Sequence, residues 1–236
     1  TLYFETFEED DLRKNGFSKD SKSQQPQILV ALVVTKEGFP IAFEVFSGNT
    51  FEGHTIIPTI KNFIGRNKVE EFTVVADAAM ISSENITHLN QNEINYIVGA
   101  RLGNLSIKLL GTIDEQIVRQ DGKSIRIKTE LGYLICSYSS VRYRKDLYEM
   151  NKQIEKAKQV IQVPSKSKKL KFTTTKDQKL ELNDELIEKT KKLLGIKGYY
   201  TSLEENIADN KTIIERYHEL YKIEQAFRVS KGDLRT

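Results

Sequence analysis

The stretch EFTVVADAAM, residues 71–80, predicts a short buried strand that ends at an acidic residue. Residues 72–76 are almost continuously apolar and contain two valines, as in a strand buried on both faces of a parallel sheet. Asp77 follows this strand directly, and open α/β sheets bind their ligands at the carboxyl ends of their strands. Asp77 is therefore a candidate site residue. The alternative is that it only forms an Asx turn or introduces the next helix.

The sequence on either side of this stretch alternates strands with helices. The predicted elements are strands at residues 1–5, 28–34 and 40–46, a helix at 55–65, the strand at 72–76, a helix at 83–91 and a strand at 95–98. This order predicts an α/β domain whose later strands run parallel, because a helix between two strands returns the chain to the same edge of the sheet.

The middle of the chain departs from this alternation of strands and helices. Its predicted elements are short antiparallel strands at 105–110, 124–129 and 132–138, a charged helix at 141–162, a lysine-rich loop at 163–179, a helix at 184–194, a strand at 198–203 and one long helix at 208–229. We therefore expect three regions: residues 1–100 form the first part of a core, 101–205 an insertion that is β-rich before its basic helix and loop, and 206–236 the last core helix.

The last helix contains a carboxylate where its apolar stripe predicts a hydrophobic residue. In YHELYKIEQAFRVSKGDL, residues 217–234, Tyr217 and Phe227 belong to the stripe, and Glu224 occupies the position between them. A charged group buried on such a stripe costs several kcal/mol unless a cation compensates it. That cation could be a metal ion. Alternatively, Lys231 neutralises Glu224 from beyond the end of the helix.

Two acidic residues far apart in sequence can share one divalent cation if the fold brings them together. Mg²⁺ prefers hard oxygen ligands, and carboxylates such as those of Asp77 and Glu224 provide them. A pair of such ions about 4 Å apart activates the attacking oxygen and stabilises the leaving oxygen in phosphodiester displacement. A site of this kind normally needs a third carboxylate.

The composition excludes several classes of protein. The 236 residues are 39% hydrophobic and 29% charged, which is typical of a soluble globular protein. Apolar runs are too short for a membrane helix, and the N-terminus shows no secretory signal pattern. Cys136 is the single cysteine, and the three histidines are scattered, so no disulfide framework and no zinc cluster are expected. We expect an intracellular protein without membrane association.

Basic residues are concentrated in one part of the chain. Residues 139–176 contain 11 Lys or Arg and 3 acidic residues, although the net charge of the whole chain is only +3. Such a stretch suits the phosphate backbone of a nucleic acid. A solvated helix face next to a flexible loop would give the same charge pattern.

Several motifs resemble those of the DDE transposases of bacterial insertion sequences, in the group with a β-strand insertion and a Tyr-Arg-Glu-Lys signature. The similar stretches cover nearly the whole chain: GFSKD (16–20), GFPIAFEVFSGNTFEGHT (38–55), VVADAAM (74–80) and YHELYKIEQAFRVSK (217–231). By this resemblance Asp77 is the second catalytic Asp and Glu224 the catalytic Glu. The last motif is only moderately specific by itself, but the four stretches in the same order are strongly indicative.

The resemblance implies a ribonuclease H-like mixed sheet flanked by helices, with a β-rich insertion before the last helix. It also implies Mg²⁺- or Mn²⁺-dependent cleavage and strand transfer of double-stranded DNA at transposon ends and at a target. The enzyme would act as a homodimer in the bacterial cytoplasm, where it would be associated with the nucleoid. Asp77 and Glu224 would bind the metal. The remaining predicted site residues would contact DNA phosphates: Tyr217, Arg228, Lys231, Arg142, Arg144 and Lys145.

The chain departs from the family pattern at two points. Leu220 occupies the position of the signature Arg. The phosphate contact of that Arg is therefore expected to be lost or to be taken over by Arg216 or Arg228, and Arg228, one turn after Glu224, is the better candidate. The first catalytic Asp of the family is expected a few residues before a segment like TLYFE, which here begins at Thr1. On this interpretation the sequence is a fragment that lacks one metal ligand and is inactive by itself.

Two rival functions use the same residues. A ribonuclease H-like nuclease or resolvase would cut DNA without joining it. A non-catalytic DNA-binding fragment would bind phosphates through its basic stretch, and Glu224 would only pair with Lys231.

Overall fold

The structure is a computed structural model of the 236-residue chain, and it describes residues 2–3, 6–17, 24–69, 72–78, 82–162, 170–176 and 179–232. In chain order, the strands and helices within these ranges are β1 (Leu2–Tyr3), β2 (Gln27–Val34), β3 (Pro40–Ser47), α1 (Ile56–Asn67), β4 (Thr73–Ala76), α2 (Ser83–Gln91), β5 (Asn95–Ala100), α3 (Ile107–Gln116), β6 (Ser124–Thr129), β7 (Gly132–Tyr138), α4 (Ser140–Gln162), β8 (Thr173–Lys176), β9 (Lys179–Leu182), α5 (Asp184–Lys192), β10 (Ile196–Thr201), α6 (Asn210–His218) and α7 (Tyr221–Gly232).

The fold class predicted from the sequence is confirmed. A five-stranded sheet has the order β4-β5-β10-β7-β6, and helices flank it, which is consistent with a ribonuclease H-like fold. The chain divides into two compact units. The first unit comprises Thr1–Gly99, Thr129–Tyr133 and Tyr200–Thr236, and the second comprises Ala100–Lys128 and Leu134–Tyr199.

The first unit begins with an antiparallel sheet of β1, β2 and β3. The strands predicted at 28–34 and 40–46 are confirmed as β2 and β3, which pair as a hairpin from Ile28 opposite Ser47 to Val34 opposite Pro40. Gly38 in the connecting turn has a φ of +92°, a left-handed conformation that glycine adopts without steric penalty. The turn closes with a hydrogen bond from the Gly38 N–H to the carbonyl oxygen of Thr35.

The strands that position the site are β4 and β5, which pair in parallel from Thr73 opposite Asn95 to Ala76 opposite Val98. Ile97 and Val98 are completely buried, as expected for a central strand covered on both faces. Burying an aliphatic side chain of this size contributes about 1.5–3 kcal/mol to stability. Helix α2 follows β4, and its first turn is capped by Ser82, whose side chain accepts a hydrogen bond from the Asn85 N–H.

The second unit has its own core. Helix α4 and the elements that follow it bury Met150, Ala157, Phe172, Ile187 and Leu194 against one another. The strands predicted at 124–129 and 132–138 are confirmed as β6 and β7, and the helix predicted at 141–162 as α4.

Three sequence predictions differ from the structure. Residues 105–110, predicted as a strand, begin helix α3, because Ser106 caps it by accepting from the Leu109 N–H at 3.3 Å. The predicted lysine-rich loop contains β8 and the first residue of β9, which pair as a hairpin, and its residues 163–169, 177 and 178 lie outside the described residues. The single helix predicted at 208–229 is two helices, α6 and α7.

Candidate active site

Asp77 directly follows β4, at the carboxyl end of a strand in a parallel pair, and its side chain is exposed. This is the position predicted from the apolar run before it. The last two residues of the predicted motif, 79 and 80, lie outside the described residues. An exposed carboxylate at this edge is available to a ligand from solvent, whereas Ala76, the last residue of β4, is buried.

Tyr217, in α6, contacts Asp77. Its hydroxyl donates a hydrogen bond to Oδ1 of Asp77 at 3.2 Å, although 140 residues separate the two in sequence. The Tyr217 side chain is buried, at 7% exposure, in the last turn of α6, which packs against β4. The structure therefore joins two of the predicted site residues, Asp77 and Tyr217, within the first unit.

Gly99 in β5 makes room for this contact. A Cβ atom at this position would lie 2.5 Å from the Tyr217 hydroxyl oxygen and 3.0 Å from Cβ of Ala78. A separation of 2.5 Å between a methyl carbon and a hydroxyl oxygen is well inside van der Waals contact, so any other residue would displace the tyrosine. Sequence reasoning missed Gly99, although an isolated glycine inside an apolar strand is a known signal of close approach.

Glu224 lies in the first turn of α7 and is exposed. The prediction that it faces the core was wrong because the helix is interrupted after His218. There the N–H groups of Leu220 and Lys222 donate to residues three positions back rather than four. This break changes the phase of the apolar stripe, so Ala226 is buried in α7. Near a helix N-terminus, the dipole favours the carboxylate of Glu224.

Lys222 fixes the start of α7 against the β2–β3 turn. Its Nζ donates to the carbonyl oxygen of Lys36 at 2.8 Å and pairs with Glu219 at 3.1 Å. Gly38 approaches so closely that a Cβ there would lie 3.2 Å from Cβ of Lys222. Sequence reasoning also missed Lys222, since its partner is a backbone carbonyl that no side-chain motif reveals. The helix turn that contains Glu224 is thereby tied to the antiparallel sheet of the first unit.

Besides Tyr217 in α6, the predicted DNA-contacting residues occupy two helices, α7 in the first unit and α4 in the second. Arg228 is exposed on α7, and the side chain of Lys231 lies outside the described residues. Arg142, Arg144 and Lys145 are exposed near the start of α4, where Arg142 pairs with Asp146 at 3.4 Å.

Helix α4 starts from a fixed N-terminus. The carboxylate of Asp121 accepts hydrogen bonds from the hydroxyl and the N–H of Ser140. The hydroxyl bond, followed by the N–H bond, lowers the pKa of the Asp121 carboxyl below its usual range. The first turn of α4, with Arg142 and Arg144, is therefore held in place within the second unit.

Asp77 and Glu224 are exposed carboxylates, and carboxylate oxygens are the type of ligand that a hard divalent cation prefers. Within the described ranges, no group of three His, Cys, Asp or Glu side chains is arranged to hold one ion. The described residues thus offer carboxylates of the predicted kind but no complete ligand set. The same ranges contain no helix that is long and apolar enough to span a bilayer.

Comparison with known families gives one match. A family model described as "Transposase DDE domain" matches residues 5–236, which is nearly the whole chain. Comparisons with curated proteins and with solved structures found no match. The match confirms the resemblance to DDE transposases, whereas the particular insertion-sequence group stays a prediction. The chain therefore belongs to the DDE transposases, a family of DNA-binding enzymes with polynucleotidyl transferase-type activity.

Proposed function

We propose that the chain is the catalytic domain of an insertion-sequence transposase that cleaves DNA at transposon ends and joins it to a target. The observation that supports this most strongly is the contact between Asp77, at the carboxyl end of a parallel strand, and Tyr217 of the last motif. Both residues lie at the positions that the family motifs assign to the site. The homodimer on paired ends and the association with nucleoid DNA belong to the same proposal.

Asp77 and Glu224 would hold Mg²⁺ or Mn²⁺ in this proposal. When bound, such ions activate the attacking oxygen and stabilise the leaving oxygen of the phosphodiester. The chain's own residues do the positioning: Tyr217 orients Asp77, and Lys222 fixes the helix turn of Glu224. A third acidic ligand would complete the set.

The basic residues are proposed to bind DNA without reading its sequence. Arg228 and Lys231 would contact phosphates near the cleavage point, and Arg142, Arg144 and Lys145 would contact the duplex elsewhere. We also propose that residues 1–100 and 206–236 form the catalytic core and that 101–205 form the insertion. The two compact units, whose largest segments follow a similar division, support this proposal.

The test is an assay of the complete protein on labelled duplexes that contain the end sequences of its own element. With Mg²⁺, transposase activity gives both cleaved strands and strands joined to a target duplex. Cleavage without joining would indicate the nuclease or resolvase function, and DNA binding without either product would indicate the non-catalytic function.

Matched variants identify the residues responsible. Asp77→Asn and Glu224→Gln are expected to abolish both products and to leave DNA binding in the absence of metal unchanged. Glu215→Gln is the control, because Glu215 is an exposed carboxylate on α6 that pairs with Lys211 at 3.8 Å. Unchanged products with Glu224→Gln would contradict the assignment of Glu224.

A further inference from the structure

The burial of Tyr217 argues against a role limited to contacting a DNA phosphate. Its side chain is 7% exposed, and Ile213, one turn earlier in α6, is completely buried. The resemblance assigns the tyrosine of this motif to DNA phosphates. In this structure, however, its ring is part of the packing between α6 and β4, and its hydroxyl reaches the strand end rather than solvent.

The direction of the hydrogen bond strengthens this distinction. An ionised carboxylate only accepts hydrogen bonds, so the Tyr217 hydroxyl must be the donor to Oδ1 of Asp77. A tyrosine hydroxyl has one hydrogen to donate, and phosphate oxygens also need a donor. A phosphate contact would therefore compete with the contact to Asp77.

Gly99 is adapted to the same contact. Its φ lies outside the left-handed region, so the backbone itself does not require glycine here. What requires glycine is space, because a Cβ would lie 2.5 Å from the Tyr217 hydroxyl oxygen.

We propose that Tyr217 is a positioning residue that orients the Asp77 carboxylate for metal binding, and that Gly99 provides the space for its hydroxyl. This inference rests on the proposed function, because it assumes that Asp77 is a metal ligand. Ligating carboxylates are commonly held by hydrogen bonds from neighbouring groups, and removing such a partner typically weakens metal affinity by about 10–100-fold.

The first test is Tyr217→Phe in the complete protein, which removes only the hydroxyl. Mn²⁺ affinity, measured by electron paramagnetic resonance of the free ion, is expected to fall by about 10–100-fold. DNA affinity without metal, measured by fluorescence anisotropy over a series of salt concentrations, is expected to stay unchanged. Tyr221→Phe is the control, since Tyr221 is 54% exposed on α7, and it should change neither quantity.

Unchanged Mn²⁺ affinity in Tyr217→Phe would overturn the inference. Weaker DNA binding would also overturn it if the slope of log affinity against log salt concentration became smaller by about 0.9. That is the change expected when the protein neutralises one phosphate fewer. Thermal melting without metal checks that each variant is folded.

Gly99→Ala tests the space requirement while both functional groups remain. It is expected to weaken Mn²⁺ binding as Tyr217→Phe does, and to have a smaller effect when added to Tyr217→Phe, because the hydroxyl that it would displace is then absent. Equal effects in both backgrounds would overturn the role of Gly99. If Gly99→Ala does not fold, Tyr217→Phe decides the matter.

Asp77→Asn distinguishes failure of this inference from failure of the proposed function. If Asp77→Asn loses Mn²⁺ binding and Tyr217→Phe retains it, only the positioning role is wrong. If Asp77→Asn itself binds Mn²⁺ as the unmodified protein does, the proposed metal site is wrong, and the inference is overturned with it.

Discussion

Nζ of Lys222 lies 2.8 Å from the carbonyl oxygen of Lys36, across 186 residues of sequence. This hydrogen bond joins the helix turn that contains Glu224 to the turn between β2 and β3. The side chain of Lys222 is 25% exposed, and its bond to the Lys36 carbonyl lies at the protein surface. A hydrogen bond from a charged group in such surroundings is a specific constraint on where α7 begins.

Lys222→Met is expected to lower the free energy of unfolding by about 1 kcal/mol, because the Lys36 carbonyl would no longer have this donor. Urea denaturation measures this. Lys211→Met is the matched control: Lys211 is 80% exposed and its pair with Glu215 is 3.8 Å long, so its removal should change stability by less than about 0.5 kcal/mol. Equal effects of the two substitutions would show that Lys222 does not anchor α7.

Gly48→Ala is expected to destabilise the first unit strongly. A Cβ at Gly48 would lie 2.5 Å from the carbonyl oxygen of Lys14 and would also meet the carbonyl oxygen of Gln27. Because backbone atoms cannot move aside as flexible side chains do, we expect a decrease of about 1–3 kcal/mol or more in the free energy of unfolding by denaturant.

Gly65→Ala provides the opposite control. A Cβ at Gly65, inside α1, would meet nothing within 4 Å. Alanine there should stabilise the helix by about 0.4–1 kcal/mol. A Gly48→Ala variant as stable as Gly65→Ala would contradict the close approach of Gly48 to the backbone of Lys14 and Gln27.

The Cys136 thiol is expected to be unreactive in the folded protein. It is completely buried in β7, and burial raises its pKa to about 12. At a pH of about 8 the thiol therefore stays protonated, and the reactive thiolate is scarce. Ellman's reagent should detect no thiol in the native protein and one per chain in guanidinium chloride, since Cys136 is the single cysteine. Rapid reaction without denaturant would contradict the burial of β7.

The first turns of α4 are expected to contribute to DNA affinity. Replacing both Arg144 and Lys145 with Gln should weaken binding to any duplex. The slope of log affinity against log salt concentration should become smaller by about 0.9 for each phosphate that the protein no longer neutralises. Fluorescence anisotropy at several salt concentrations measures both quantities, with Lys211→Gln as the control. An unchanged salt dependence would indicate that these residues belong to a solvated helix face.

Local patterns predicted the strands of the first unit well. The β-branched run of β2 and the apolar run before Asp77 each indicate a strand, because short apolar runs rich in β-branched residues favour β-structure. Residues 105–110 were assigned wrongly because their apolar residues suit either structure. The N-cap at Ser106 was the available signal that decides for a helix.

The sequence indicates candidate site residues but not their contacts. Asp77 could be recognised from the strand before it, whereas its bond to Tyr217 depends on how α6 packs against β4. The break after His218 has no proline or glycine to indicate it, so the heptad pattern extended the helix through it and placed Glu224 toward the core. Tertiary packing rather than local propensity decides such features.

The central claim is that Asp77 and Glu224 bind a common divalent ion. Anomalous diffraction from crystals of the complete protein grown with Mn²⁺ tests it most directly. The account predicts a manganese peak within bonding distance of carboxylate oxygens from both residues, and loss of that peak in Asp77→Asn. A peak bound by neither residue, or the two carboxylates pointing into separate regions with no shared ion, would contradict it.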